Sequence, residues 1–407
     1  MSNINTARPM IMHIDLNSCF ATIEQQSRPL LRGRPVAIVN RATEHTAIVT
    51  ASYEAKQQGI GVGMKLATAR LLCPALVALE SDPVKYRFVY RKLMGILQDY
   101  SPYVRMKSID EGLIDFAQSS LEIRQRELAD VGREIKQRLR DEIGNYMRCN
   151  IGIGTNRFLA KTAAGLNKPD GLTEITHKNL REVYRRLGLE DLTGIAHGYG
   201  KRLREVGITT PLEFLDADEL TLEKQVFHGK PGRDWYQRLR GWEVDAIDST
   251  LQSVGRQFVL DERNLGYDEV LRRFHGLCED VAAKLRHQSV WARTVRIYVK
   301  SHGKYWQSLH HEGRAFHDES TIFTAVEKML RTAPLPAIEI GVTCTDIVSE
   351  PDSQAELFSN EEYVENITQA IDKINLSWGD HTVHSADTLG LANRMKRKVP
   401  FGSTRYL

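Results

Sequence analysis

Residues 13–26 read HIDLNSCFATIEQQ and residues 108–115 read SIDEGLID, and both stretches place acidic residues inside an apolar pattern. Around Asp15, apolar and polar side chains alternate with period two, which predicts a β-strand with a polar end. The segment around Asp110 and Glu111 predicts a hairpin or a bent pair of strands. Because an unpaired charge in apolar surroundings is costly, this context indicates a function for the three acids.

Carboxylates in such a setting are typical ligands of magnesium, which prefers hard oxygen donors together with substrate phosphate. Phosphoryl and nucleotidyl transfer need cations of this kind to hold a triphosphate and an attacking oxygen in line. The alternative interpretation is that each acid is an ordinary surface residue, as an isolated Asp-Glu pair usually is. The apolar context favours magnesium-dependent transfer at Asp15, Asp110 and Glu111.

The composition is that of a globular protein, with 42% hydrophobic and 26% charged residues in a chain of 407. This length predicts roughly two to four domains. No apolar run approaches the roughly 20 residues that span a bilayer, and residues 1–9 lack the apolar stretch of a signal peptide. The five cysteines are scattered, so neither a zinc site nor a disulfide framework is expected. We expect a cytoplasmic protein that does not bind membranes.

The net charge is only +3, but the charges are distributed in blocks. This distribution predicts one surface that binds a polyanion and another that repels it. Residues 281–311 contain six lysines and arginines and no acid. Residues 332–372 contain no lysine or arginine, and residues 393–407 are basic again. This final basic segment either contacts the polyanion or is disordered.

The local patterns predict an α+β multidomain protein. Residues 1–177 read as a mixed α/β domain, residues 178–244 as short helices with glycine turns, and the segment from 254 onward as β-α-β. Further strands are predicted at 34–40, 46–50, 150–154 and 293–300. Helices are predicted at 52–58, 83–100, 121–143 and 158–167.

Three more motifs follow the first two in order: TASYEAKQQGIGVGM (50–64), GIGTNRFLAKTAAGLNKPDG (152–171) and GIAHGYGKRLREVGI (194–208). Together the five motifs resemble those of the Y-family DNA polymerases, the translesion enzymes. The resemblance implies a right hand of palm, fingers and thumb with an added little-finger domain. It assigns the palm to 1–18 and 83–177, the fingers to 19–82, the thumb to 178–244, a linker to 245–253, the little finger to 254–350 and a C-terminal extension to 351–407.

The resemblance also implies a catalytic centre. Asp15, Asp110 and Glu111, with the main-chain carbonyl of Leu16, match the ligands of two Mg²⁺ ions. Phe20 matches a steric gate that excludes ribonucleotides. The positions that match contacts to the triphosphate of the incoming deoxynucleotide are Thr50, Tyr53, Lys56 and Lys168.

Three positions depart from the family's usual residues. Lys56 stands where arginine is usual, and lysine cannot make the same bidentate contact to phosphate. Asn17 stands where aspartate is commoner, and Cys19 where an aromatic residue is usual. We expect altered rate or selectivity from these changes rather than inactivity, because the three principal carboxylates are intact.

The remaining matches concern DNA and a partner protein. A helix-hairpin-helix is implied at 193–207, in which residues 198–200 form the tight hairpin and Gly198, Gly200 and Lys201 lie at a phosphate. Arg293, Arg296 and Lys300 give a basic strand that fits the little-finger contact with DNA. Gln354, Leu357 and Phe358 resemble the peptide that docks bacterial polymerases on the sliding clamp, although such short peptides also arise by chance.

The sequence therefore predicts a template-directed DNA polymerase, monomeric, acting on primer-template DNA and deoxynucleoside triphosphates in error-prone translesion synthesis. One alternative is a catalytically weak paralogue that serves as a scaffold in a mutagenesis complex. A nucleotide cyclase with a similar palm would have no helix-hairpin-helix and no primer. A plain DNA-binding repair module would leave Phe20, Tyr53 and Lys168 without a purpose.

Overall fold

The computed structural model describes residues 3–246, 251–260, 262, 264–350, 361–379 and 381–391. These residues fold into two compact units, the first up to residue 246 and the second from residue 251 onward. The division falls inside the segment 245–253 that reads as a linker in the sequence.

The first unit alternates strands and helices up to residue 174 and is helical thereafter. Its strands are β1 (Ile11–Leu16), β2 (Val36–Val39), β3 (Ile48–Ala51), β4 (Val77–Glu80), β5 (Val104–Met106), β6 (Glu111–Asp115), β7 (Cys149–Gly154) and β8 (Leu172–Glu174). Its helices are α1 (Cys19–Ser27), α2 (Tyr53–Gln57), α3 (Leu66–Leu72), α4 (Pro83–Gln98), α5 (Leu121–Gln125), α6 (Leu128–Glu142), α7 (Arg157–Gly165), α8 (Leu180–Arg185), α9 (His197–Glu205), α10 (Pro211–Asp216), α11 (Glu219–Thr221) and α12 (Lys230–Leu239).

A five-stranded sheet in the order β5-β6-β1-β7-β8 forms the centre of this unit. β1 lies in its middle and pairs antiparallel with β6 and β7, which confirms the predicted alternating strand. The even-numbered side chains from Met12 to Leu16 are buried in the main core with residues of α4 and α6. On the opposite face, Ala160 of α7 packs against the sheet. Helices therefore cover both faces and leave the strand ends as the place for a site.

Helix α7 lies close to the sheet because glycine occupies the strand beneath it. A Cβ atom at Gly152 would lie 2.0 Å from the carbonyl oxygen of Ala160 and 2.2 Å from the amide nitrogen of Ala164. A side chain at this position would push α7 away from β7. The close approach brings Lys161 of α7 within hydrogen-bonding distance of Glu111 on β6.

The single helix predicted over 121–143 is wrong, because the chain turns between α5 and α6. Arg126 is extended, with φ −71° and ψ 153°. Its carbonyl oxygen accepts a hydrogen bond from Nη2 of Arg8 at 2.6 Å, and the carbonyl of Arg124 accepts from Nη1 at 3.0 Å. These bonds satisfy carbonyl groups that would otherwise bond within a continuous helix.

A smaller sheet in the order β3-β2-β4 carries residues 36–80. β2 is antiparallel to β3 and parallel to β4, so the strands predicted at 34–40 and 46–50 are confirmed. The following helix α2 begins after Ser52, whose hydroxyl accepts a hydrogen bond from the amide of Ala55. In the helical part of the unit, Trp235 packs against Phe214 and Phe227.

The second unit is a sheet covered by helices on one face. Its elements are β9 (Ser253–Val259), α13 (Tyr267–His287), β10 (Ala292–Ser301), β11 (Lys304–Phe316), α14 (Glu319–Leu330), β12 (Glu339–Thr345) and α15 (Glu361–Trp378). The strand order is β11-β10-β12-β9, and all neighbours are antiparallel. Val295, Ile297 and Val299 are fully buried, so the alternation predicted for 293–300 is confirmed.

The region described between 361 and 391 belongs to this second unit. Asp372 of α15 accepts hydrogen bonds from Arg286 of α13 at 2.6 and 2.8 Å. Glu365 of α15 lies 3.0 Å from the imidazole of His317. The described residues of the predicted extension therefore pack within the second unit. Within the described part of the chain, no helix has the length and apolar character needed to cross a membrane.

Candidate active site

Three carboxylates meet at one end of the central sheet. Asp15, near the end of β1, lies directly opposite Glu111 in the pairing of β1 with β6. The main-chain carbonyl of Asp110 accepts a hydrogen bond from the amide of Leu16 at 2.8 Å. Burial, and then the negative charges of Asp15 and Glu111, raise the pKa of Asp110. The structure thus places the three predicted acids close enough for the charges of Asp15 and Glu111 to act on Asp110.

Basic side chains neutralise two of these carboxylates. Lys168 forms an ion pair with Asp15. Lys161 Nζ lies 3.0 and 2.8 Å from the two carboxylate oxygens of Glu111. The imidazole of His13 lies 3.4 Å from Glu111, and its hydrogen bond, followed by that of Lys161, lowers the pKa of Glu111 to about 2. Glu111 is therefore ionised near neutral pH.

The chemistry of this donor set suits a hard divalent cation. Carboxylate oxygens are the ligands that magnesium prefers, and a cation would offset both the burial and the mutual repulsion that raise the pKa of Asp110. Across the described ranges, no three His, Cys, Asp or Glu side chains are already arranged to hold a metal. The ammonium groups of Lys161 and Lys168 compensate the charge of Glu111 and Asp15 instead.

The predicted triphosphate contacts lie beside the acids. Lys56 Nζ donates a hydrogen bond to Ser18 Oγ at 2.8 Å and lies 4.7 Å from the centre of the Tyr53 ring. Partial burial, and then the charge of Lys168, lower the pKa of Lys56. Two ammonium groups thus approach each other near the carboxylates. Thr50, half-buried on β3, lies three residues before Tyr53, the first residue of α2.

Comparisons with known proteins show the family of this chain. The model of the impB/mucB/samB family matches residues 14–165, and that of the impB/mucB/samB family C-terminal domain matches residues 251–357. DNA polymerase IV of Moorella thermoacetica is 31% identical over 93% of this chain and 96% of its own length. The chain belongs to the impB/mucB/samB family.

A second relative of this family member is DNA polymerase IV 1 of Bacillus subtilis, 29% identical over 93% of each chain. A solved structure described as a Y-family DNA polymerase chimera has a TM-score of 0.71 and 20% identity, and covers 84% of this chain and 99% of its own. The predicted α+β right-hand fold and the resemblance to Y-family polymerases are thereby confirmed.

Phe20 of this family member lies in the main hydrophobic core. Its ring stacks on Tyr86 with centroids 4.2 Å apart and planes 6° apart, and only 2% of Phe20 is exposed. The hydroxyl of Tyr86 donates to Glu24 at 3.2 Å, and Lys85 donates to the same carboxylate at 2.7 Å. Tyr86, which is itself held by Glu24, therefore packs against the ring of Phe20, the residue that matches the steric gate.

Cys19 is also close to the acids. Burial, and then the charges of Asp110 and Asp15, raise the pKa of its thiol well above the usual value. A neutral thiol is a poor nucleophile. This departure from the usual aromatic residue therefore leaves a small apolar group next to Phe20 rather than a reactive one.

The glycines predicted to form the thumb hairpin lie in a helix. Gly198 and Gly200 fall in the first turn of α9, where the amide of Gly200 donates to the carbonyl of Ala196 at 2.9 Å. The turn comes earlier, at Gly194, with φ +100°. The prediction of a hairpin at 198–200 is therefore wrong, because this pair forms ordinary helical hydrogen bonds. Lys201 is exposed on the same helix.

The basic strand of the second unit has an acidic neighbour. Arg296 and Lys300 point to the exposed face of β10, but Lys300 Nζ lies 2.8 Å from Glu339 of β12. The hydroxyl of Tyr298 donates to Glu339 at 2.7 Å. The acid-free stretch 281–311 therefore does not make an acid-free face. Arg293 lies where the pairing of β10 with β11 is irregular. It belongs to the odd-numbered residues of β10, which alternate with Arg296 and Lys300.

The clamp-peptide residues Gln354, Leu357 and Phe358 lie outside the described residues. Sequence reasoning missed His13 and Lys161 as partners of Glu111. His13 had a signal, because it lies two residues before Asp15 and so shares its strand face. Lys161 lies in the motif at residues 152–171, but the resemblance assigned it no role.

Proposed function

We propose that this chain adds deoxynucleotides to a primer 3′ end by metal-dependent nucleotidyl transfer, and that it does so during error-prone translesion synthesis. As a member of its family it is a DNA-directed DNA polymerase. The observation that supports the mechanism is the meeting of three carboxylates at the end of the central sheet, where Lys168 and Lys161 form ion pairs with Asp15 and Glu111.

Two magnesium ions would be held by Asp15, Asp110, Glu111 and the main-chain carbonyl of Leu16. When bound, they would acidify the primer hydroxyl and neutralise the departing pyrophosphate. The chain's own contribution is orientation. His13 and Lys161 fix the carboxylate of Glu111, and the low pKa of that group keeps it ionised.

The lysines support a triphosphate site on electrostatic grounds. Partial burial, and then the positive charge of Lys168, lower the pKa of Lys56, and a bound anion would relieve the repulsion between the two ammonium groups. Tyr53 lies against Lys56 and adds a hydroxyl group on the same side. We therefore propose that Thr50, Tyr53, Lys56 and Lys168 bind the incoming nucleotide, above the ring of Phe20.

DNA contacts are proposed at the start of α9, at Lys201 and on the exposed face of β10. We assign the palm, fingers and thumb to the first unit and the little finger to the second, with the boundaries expected from the sequence. Clamp binding through Gln354, Leu357 and Phe358 is proposed on the sequence alone. The described part of the chain offers no observation that favours an inactive scaffold.

Primer extension tests this proposal. The unaltered chain is given a primed template, with and without a lesion in the templating position, and magnesium. We expect extension past the lesion, and we expect Asp110→Ala to abolish extension on both templates while the chain stays folded. If the unaltered chain extends no better than Asp110→Ala, it is not a polymerase. Extension that always stops at the lesion would refute the translesion role alone.

A further inference from the structure

A buried pair of asparagines joins the strand of Asp15 to the loop of Lys168. Asn17 and Asn150 are 2% and 0% exposed. Asn17 Nδ2 donates to Asn150 Oδ1 at 3.1 Å. Asn17 Oδ1 accepts from the main-chain amide of Asp170 at 2.7 Å. Asn17 therefore uses both ends of its amide to connect two segments that are far apart in sequence.

The orientation of both amides is set by the main chain. Asn150 Oδ1 also accepts from the amide of Gly171 at 3.1 Å, and Asn150 Nδ2 donates to the carbonyl of Leu166 at 2.7 Å. Exchanging oxygen and nitrogen in either side chain would place like groups against these main-chain partners. The network is thus satisfied in one arrangement, which holds the loop 166–171 at both ends.

Lys168 stands in the middle of this loop and forms the ion pair with Asp15. Asn17 lies two residues after Asp15 on the same segment, so one stretch of chain carries both the acid and the amide that anchors the lysine loop. Below the loop, Lys136 and Arg140 form ion pairs with the carboxylate of Asp170, and Lys136 also donates to the main-chain carbonyls of Asp170 and Gly171. Asn17 instead accepts from the main-chain amide of Asp170.

We propose that Asn17 is a positioning residue that places Lys168 for the incoming nucleotide. This inference rests on the proposed role of Lys168 in nucleotide binding. Aspartate at position 17 would keep the acceptor for the Asp170 amide but would present an oxygen to Asn150 Oδ1, where asparagine donates. Asparagine at position 17 therefore suits Asn150, because it can donate to Asn150 Oδ1. It acts on Lys168 through the loop 166–171.

A double-mutant cycle tests the inference. The dissociation constant of a deoxynucleoside triphosphate is measured on a complex with a dideoxy-terminated primer, so that no chemistry is required. The KM and kcat are measured in parallel with an extendable primer. Asn17→Ala should weaken nucleotide binding and raise KM about tenfold, the effect of one lost hydrogen bond, with a smaller change in kcat. In a Lys168→Ala background the same substitution should change binding less than about twofold.

Asn156→Ala is the matched control. Asn156 is 1% exposed, and its amide makes three hydrogen bonds, to Leu159, Arg238 and Trp242, none of them to the lysine loop. Its effect on binding should be the same with and without Lys168. Asn17→Asp, which preserves volume, provides a second variant should Asn17→Ala unfold.

An effect of Asn17→Ala that is as large without Lys168 as with it would overturn the inference while leaving the proposed polymerase intact. Failure of the unaltered chain to bind the nucleotide would contradict the proposed function itself, and the inference with it.

Discussion

Glu111 illustrates how a single side chain is prepared for its task. Its carboxylate is fixed by His13 from the neighbouring strand and by Lys161 from α7, and its pKa falls to about 2. Asp110, adjacent in the chain, has a raised pKa because it is buried among negative charges. Two neighbouring acids thus have opposite shifts, which is a common feature of functional sites.

Phe20→Ala tests the gate at the same scale. Removing this ring should raise the ratio of ribonucleotide to deoxynucleotide incorporation, because a smaller side chain leaves room for the 2′-hydroxyl. It should also destabilise the protein by about 3–5 kcal/mol, since the ring is buried and stacked on Tyr86. Incorporation assays with both nucleotide types, together with urea unfolding, measure the two effects.

The control is Phe116→Ala, which removes another fully buried aromatic ring from the same core. It should reduce stability to a similar degree without changing sugar selectivity. Equal sugar selectivity of Phe20→Ala and the unaltered chain would refute the gate assignment.

At the scale of elements, strands with regular alternation were predictable, because apolar and polar side chains alternate along β1 and β10. The break between α5 and α6 was not, since it depends on Arg8, which is remote in sequence. The pair Gly198 and Gly200 resembled a turn, but the helical bonding of α9 prevails over the local preference of glycine.

In the site, too, local features were predictable and contacts between residues remote in sequence were not. The acids were predictable from their motifs, whereas the contact of Lys168 with Asp15 joins residues 153 positions apart. Similarly, Glu339 reaches Lys300 from another strand, so a window along the chain could not reveal the pairing.

The packing of α13 against its neighbours predicts a pH dependence of stability. His275 is 5% exposed and stacks on Phe323, and its imidazole lies against the carboxylate of Glu319. Burial lowers the pKa of His275, but the hydrogen bond and charge of Glu319 outweigh burial, so that the pKa is raised. Protonated His275 therefore stabilises the fold below the unfolded pKa of about 6.5, and this contribution is lost as pH rises through the folded pKa.

Urea unfolding of the full chain between pH 6 and pH 9, about the range of histidine titration, measures this effect. The free energy of unfolding should fall with rising pH, and His275→Gln should flatten the dependence. A His275→Gln variant with the same pH dependence as the unaltered chain would show that other groups are responsible.

At the scale of the whole molecule, charge is arranged in blocks although the net charge is only +3. Contacts to phosphate give binding that weakens steeply with salt and shows little sequence preference. The logarithm of affinity should fall with the logarithm of salt concentration, with a slope of about −0.9 for each phosphate contact.

Arg296→Ala should reduce this slope by about one contact, because Arg296 is exposed on β10. Lys300→Ala should reduce it less, since Glu339 already pairs with Lys300. Fluorescence anisotropy with labelled primer-template DNA measures both slopes. A slope unchanged in Arg296→Ala would remove this face of the sheet from the DNA contact.

A polymerase selects each nucleotide by the template base, and single-nucleotide insertion measures that selection. Four primer-templates that differ only in the templating base are each offered the four deoxynucleotides separately, with magnesium. We expect the complementary nucleotide to be inserted fastest opposite each base, and Asp110→Ala to insert none. Insertion of the same nucleotide whatever the template, or nucleotide turnover without a primer, would show that the chain is not a template-directed polymerase.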